Sequence, residues 1–104
     1  MVTFEEFQKL DIRIGKVLFC EPVPKSNKLL KLVVDIGSEK RQIVAGMQQF
    51  YKPDELVGKD IAVVTNLAPA TIFGVESNGM ILAAGDAASL LVPLRPVEPG
   101  SKIR

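Results

Sequence analysis

Seven basic side chains fall within residues 13–41: Arg13, Lys16, Lys25, Lys28, Lys31, Lys40 and Arg41. Only three acids, Glu21, Asp35 and Glu39, share that stretch. Such a local excess of positive charge is chemistry for holding an anion, phosphate above all. Residues 60–94 reverse the balance, with no Lys or Arg and three acids, Asp60, Glu76 and Asp86. A basic front beside an apolar back suggests two working surfaces, one for an anion and one for a protein. Chance scatter of surface lysines gives the same count, because the chain as a whole carries only +1.

Covalent and acid–base chemistry is poorly supplied. The 104 residues include no His, no Trp, one Tyr (Tyr51) and one Cys (Cys20). Without His the commonest general base and metal ligand is missing, and neither a Ser-His-Asp triad nor a Cys-His dyad can form within the chain. A single Cys makes neither an intrachain disulfide nor a structural zinc site, so no metal and no cofactor is expected. The paired acids Glu5/Glu6 and Asp54/Glu55 stand beside helix starts, where carboxylates complement the macrodipole. The expectation is a protein without catalysis of its own. The longest uncharged run, Ile61 to Val75, has 15 residues and includes Thr65, Asn66, Pro69 and Thr71. A membrane span needs about 20 apolar residues, and acids among the first twelve positions argue against a leader. A cytoplasmic protein without a membrane partner is therefore expected.

Short elements must position these side chains. Thr3 and Glu6 have capping-box spacing, and Phe4, Phe7 and Leu10 form one apolar stripe, which predicts a short N-terminal helix lying on something. Ile12 and Ile14 alternate, the phase breaks at Gly15-Lys16, and Val17 and Phe19 resume it: a strand with a bulge at the glycine. Leu30, Leu32, Val34 and Ile36 give a second strand. The Gly37-Ser38 turn leads into a third through Arg41, Ile43 and Ala45. Pro53 to Leu56 reads as a helical turn, Ile61 to Thr65 as a fourth strand, and Met80 to Ala84 as a fifth after an Asn78-Gly79 hairpin turn. Leu90 to Leu94 is extended, with Pro93 holding it to an edge. The fold class is all-β: a five-stranded OB-fold barrel with a short N-terminal helix and a C-terminal extension. An SH3-like barrel shares the strand count. OB barrels commonly bind nucleic acid on strands two and three, where the basic residues cluster here.

Three segments carry a resemblance. They are Asp11-Ile12-Arg13-Ile14-Gly15-Lys16-Val17; Ser26 to Gly37 continuing to Arg41-Gln42-Ile43-Val44-Ala45-Gly46; and Asn66-Leu67-Ala68-Pro69 followed by Gly74 to Ala84. In this order, with Tyr51 to Lys59 between, they resemble the tRNA-binding domain of the methionyl-tRNA synthetase C-terminal and beta-subunit family across essentially the whole chain. The resemblance implies one tRNA-binding OB-fold domain over residues 1–104, with a core of about 11–85 and a C-terminal dimerisation segment of about 86–104. It implies a non-catalytic homodimer that binds tRNA by shape and phosphate contacts and serves a methionyl-tRNA synthetase catalytic chain or domain. The family also contains free-standing tRNA-binding proteins and a secretion-chaperone-like branch whose dimers bind peptides.

The resemblance places tRNA contacts at Lys16, Lys28, Arg41, Asn66, Ser77, Asn78 and Met80. Each has a plainer reading. Lys28 is a phosphate contact or a solvated loop lysine, and Arg41 a phosphate fork or a surface partner of Glu39 or Asp35. Arg13 reads as structural. Asn66 bonds a nucleotide or its own turn. Met80 is a platform for a base or barrel core. Gly79 serves the turn in either case. Leu90, Leu91, Val92 and Leu94 lie in a nearly uncharged C-terminal run and are expected at a dimer seam. One departure stands out: where the family often carries basic residues, this chain has Ala70-Thr71-Ile72-Phe73.

Overall fold

The computed structural model describes all 104 residues. Helix α1 spans Phe4–Gln8 and strand β1 Ile12–Pro22. Strands β2 (Leu30–Asp35) and β3 (Lys40–Ala45) precede helix α2 (Pro53–Leu56) and strand β4 (Asp60–Val64). Then come β5 (Ala70–Ile72), β6 (Val75–Ser77), β7 (Met80–Ile81), β8 (Ala83–Ala84) and β9 (Ser89–Leu90). No helix is long and apolar enough to cross a membrane.

Five strands form an antiparallel sheet in the order β3-β2-β1-β4-β7. It curls because β1 is long enough to pair with two neighbours, Lys16 to Pro22 with β2 and Ile12 to Lys16 with β4. Its edges approach where the Asn78 N–H donates to the Gln42 carbonyl, 2.8 Å. The result is a nearly closed barrel of OB topology, as the strand pattern predicts. Leu30, Leu32, Val34, Ile43, Ile61 and Val63, all fully buried, fill it together with Val17, Met47 and Leu56.

The bend in β1 differs in detail from the expected bulge. The β1–β2 register slips between Val17 and Phe19, placing the extra residue at Leu18. Gly15 is required for a different reason, since a Cβ there would lie 2.4 Å from Val34 Cγ1 and 3.2 Å from the Asp35 carbonyl oxygen. The glycine lets two strands cross closely, and the slip three residues later restores Cys20 to the interior.

Helix α1 has its capping box, with the Glu6 N–H donating to Thr3 Oγ1 and the Thr3 N–H to Glu6 Oε1. Its apolar stripe, however, is only partly covered: Phe7 is half-buried, but Phe4 is 69% and Leu10 41% exposed. The fifth strand is shorter than the Met80–Ala84 reading. It breaks at Leu82, whose N–H donates to the Ala62 carbonyl, before β8 pairs with β9. Asn78-Gly79 joins no hairpin. The chain leaves a β5–β6 hairpin there and enters the barrel at β7.

The C-terminal chain covers the outer side of β1 and β4. Ile14 N–H donates to the Ser101 carbonyl, Ala62 N–H to Leu91, and Ile103 N–H to Ile12. This cover buries Ile12, Ile14, Ala62 and Val64 on the face opposite the barrel interior. Tyr51 anchors the segment, its Oη donating to the Ala88 carbonyl and accepting from the Leu90 N–H.

Candidate nucleic-acid interface

A cleft of about 500 Å³ opens between the start of β3 and the β4–β5 connection. Its lining includes Glu39, Lys40, Arg41, Gln42, Thr65, Asn66, Pro69 and Asn78. Three of the expected contact residues, Arg41, Asn66 and Asn78, therefore meet at one place, although 25 and 12 positions separate them in sequence.

Their polar groups are largely occupied with holding the cleft together. Arg41 Nη1 donates to the Thr65 carbonyl at 2.7 Å and to the Asn78 carbonyl at 3.2 Å, and its Nε donates to Glu39. The guanidinium thus ties β3 to the end of β4 and to the approach of β7. Asn66 accepts from the Asp11 N–H at 2.8 Å through Oδ1 and donates to the Lys9 carbonyl at 2.6 Å through Nδ2. Both ends of its amide fasten the α1–β1 junction, rather than its own turn. Asn78 Nδ2 donates to Glu76. Ser77, 4% exposed, accepts from the Val44 N–H and donates to the Gly79 carbonyl. Its hydroxyl lies beneath the surface, satisfying a buried amide.

Ion pairs thin the basic cluster. Arg13 pairs with Asp11 at 2.9 Å, Lys16 with Asp60 at 3.1 Å, Lys31 with Glu21 at 2.8 Å, and Arg41 with Glu39. That leaves Lys25, Lys28 and Lys40 exposed and without an ion-pair partner. Lys40 lines the cleft. Lys28 stands at the far end of β3, where its carbonyl accepts from the Gln48 N–H. Arg13 is structural, as expected, and its Nε holds both Asp11 oxygens. That hydrogen bond is the leading reason the Asp11 carboxyl ionises below its ordinary value, outweighing partial burial. Burial, with Glu21 nearby, pushes the Cys20 thiol up to about 11. Cys20 is therefore a buried neutral thiol at physiological pH.

Met80 is not barrel core. It is 48% exposed at the edge of β7 and offers an adaptable apolar surface. Of the expected seam residues, Leu91 (42%), Val92 (60%) and Leu94 (97%) face outward. Leu90 does not: it packs against the barrel cluster.

Sequence reasoning missed Lys40 and Phe73 as site candidates. Lys40 precedes Arg41 at the start of a strand and belongs to the basic cluster of residues 13–41, the signal that could have marked it. Phe73 lies in a segment read as an uncharged loop. That segment is the β5–β6 hairpin, and Phe73-Gly74 is its two-residue turn, with φ of +53° and +77°.

A small antiparallel barrel with unpaired lysines at both ends of one strand defines a binding module of OB type. The chain belongs to the tRNA-binding domain family: the family model described as "Putative tRNA binding domain" matches residues 12–102. It is 73% identical over 104 residues to a methionine–tRNA ligase of Methanoregula boonei, a match covering 100% of this chain and 16% of that protein. A methionine–tRNA ligase of Thermotoga maritima is 54% identical over 104 residues, covering 98% of this chain and 16% of the ligase. The chain thus spans about a sixth of the length of these curated relatives. Among solved structures, a MetRS-related protein from Pyrococcus horikoshii superposes with a TM-score of 0.91 at 34% identity, over 100% of this chain and 98% of that one. The CsaA chaperone protein of Picrophilus torridus does so with a TM-score of 0.90 at 32% identity, over 100% of both chains.

Proposed function

We propose that this chain is the non-catalytic tRNA-binding and dimerisation module of a methionyl-tRNA synthetase, as part of the longer enzyme or as a separate subunit in the cytoplasm. The observation that carries the reading is the likeness of all 104 residues to about a sixth of a methionine–tRNA ligase, at 73% identity. The geometry supports it. Lys25, Lys28 and Lys40 are free to neutralise phosphates, whereas the strongest hydrogen-bonding side chains, Arg41, Asn66 and Ser77, are committed to the fold. A surface with exposed, unpaired cations and few free directional donors suits recognition of a folded RNA by shape and charge rather than by base sequence.

Dimerisation is the second part of the proposal. Phe4 and Leu10 of the N-terminal segment and Leu91, Val92 and Leu94 of the C-terminal segment are exposed apolar side chains. Phe4 and Leu10 share a groove with Ile103, which belongs to the same C-terminal cover. Joining two copies there pairs two weak tRNA sites and raises the effective concentration of the second. Sedimentation at micromolar concentration tests it. A dimer that Leu94→Asp dissociates without unfolding supports the seam, and a monomer at all concentrations rejects it.

A peptide-binding dimer is the competing reading, favoured by the chaperone likeness and by a groove of about 400 Å³ lined by Ile14, Ala62, Leu91, Val92, Pro93 and Val97. Raising salt separates the two. Association with tRNA weakens steeply, whereas apolar peptide binding holds or strengthens.

A further inference from the structure

We infer that Phe73 is a stacking finger, an aromatic ring held out to receive an unpaired base of the bound RNA; the inference rests on the tRNA reading above. Phe73 occupies the left-handed region, φ +53°, at the tip of the β5–β6 hairpin and is 58% exposed. Large side chains avoid that conformation, and a phenylalanine left in water by it makes no contribution to the core. Asparagine or glycine would form the same turn with less strain. The ring therefore has a use outside the fold.

Its surroundings point to a base. The hairpin is braced on the candidate RNA face: the Gln42 side chain donates to the Glu76 carbonyl, Val44 N–H to Ser77 Oγ, and Asn78 N–H to the Gln42 carbonyl. These bonds tie the base of the hairpin, Glu76 to Asn78, to β3 at Gln42 and Val44, so the tip is carried out from that strand. Residues 70–75 carry no charge and the hairpin's one charged side chain, Glu76, is an acid, so this hairpin supplies no cation for a phosphate. What it presents is an exposed π-face on a hairpin fastened to β3, the strand whose start carries the free Lys40; stacking on a ring while cations elsewhere hold the backbone is how single-stranded nucleotides are bound.

The chain has no Trp, so Phe73→Trp places a single fluorescent reporter at the tip. Titrating that variant with tRNA should quench its emission along the same binding curve that a mobility shift reports. Phe73→Asn keeps the turn and removes the ring. It should bind tRNA about 5- to 150-fold more weakly, with an unchanged salt slope, because stacking releases no counterions. Both variants are checked for melting temperature and sedimentation. Unchanged Trp emission at saturating tRNA, or full affinity in Phe73→Asn, overturns the inference while leaving tRNA binding standing. Loss of dimer with Phe73→Asn overturns it too, by making the tip a protein contact. A wild-type chain that fails to bind tRNA removes the parent reading and this one together.

Discussion

Replacing Arg41 with alanine removes the side chain that ties three parts of the barrel rim. Two carbonyls lose a charged donor: that of Thr65, a residue 3% exposed, and that of the half-buried Asn78. A hydrogen bond from a charged group contributes about 1.5–3 kcal/mol, and an acceptor left buried costs a similar amount. The Asn78 carbonyl regains water more easily, and the exposed pair with Glu39 contributes at most about 1 kcal/mol. Arg41→Ala should therefore destabilise the protein by about 2–3 kcal/mol. For a chain of this length that lowers the melting temperature by roughly 8–20 °C, at a protein concentration held constant. Arg41→Lys keeps the charge and one of the two bonds, and should cost about half as much. Far-ultraviolet circular dichroism follows the melt, and tRNA titration well below both transitions follows binding. The brace predicts a large loss of stability with a loss of tRNA affinity below about threefold. Unchanged melting with tenfold weaker binding would show that the guanidinium is a ligand contact, and the reasoning from its hydrogen bonds would fail.

Ser77→Ala leaves the Val44 N–H without its acceptor inside the protein and should cost about 1–3 kcal/mol in chemical denaturation while tRNA affinity at low temperature is unchanged. A stable variant with impaired binding would place the hydroxyl on the RNA. Cys20, its thiol raised to about 11 by burial, should resist alkylation at pH 8 in the folded protein and react on unfolding; rapid native labelling would contradict its placement. Asp11 ionises below its ordinary value of 3.8 in the fold, so its contribution is complete above that value and is lost as pH falls through the folded one. Asp11→Asn should flatten the acid limb of a stability profile below about pH 4, and an unaltered limb would refute the Arg13 assignment.

The barrel was legible because its signals are periodic. Leu30, Leu32, Val34 and Ile36 alternate without interruption, and the Gly37-Ser38 turn fixes their partner strand. The Leu18 slip was not legible, since one unpaired residue leaves no periodic trace. Gly15 attracted the bulge because a glycine for close approach and a glycine for a bulge look alike in sequence. The β5–β6 hairpin was hidden for a related reason: three-residue strands are too short to show alternation, and Phe-Gly is an unfavoured turn pair. The resemblance named Arg41, Asn66 and Asn78 as expected contacts, and the fold sets all three at one cleft. The resemblance did not distinguish groups that touch a ligand from groups that hold the cleft, because that depends on partners such as Asp11 and Thr65, distant in the chain.

Salt dependence of tRNA association tests the central claim most directly. Three unpaired lysines, Lys25, Lys28 and Lys40, neutralising about three phosphates predict a log–log slope of roughly −2 to −3 per protomer, approaching twice that when both copies of a dimer engage one tRNA. Lys28→Glu with Lys40→Glu touches no bond of the fold made by either side chain, unlike a change at Arg41. It should flatten the slope by one to two units per protomer and weaken binding at 50 mM salt, with melting unchanged. A steep wild-type slope that the double variant flattens is the result predicted by a lysine-lined RNA surface on an OB barrel. No detectable tRNA binding at low salt, or a slope that the double variant leaves intact, would contradict it.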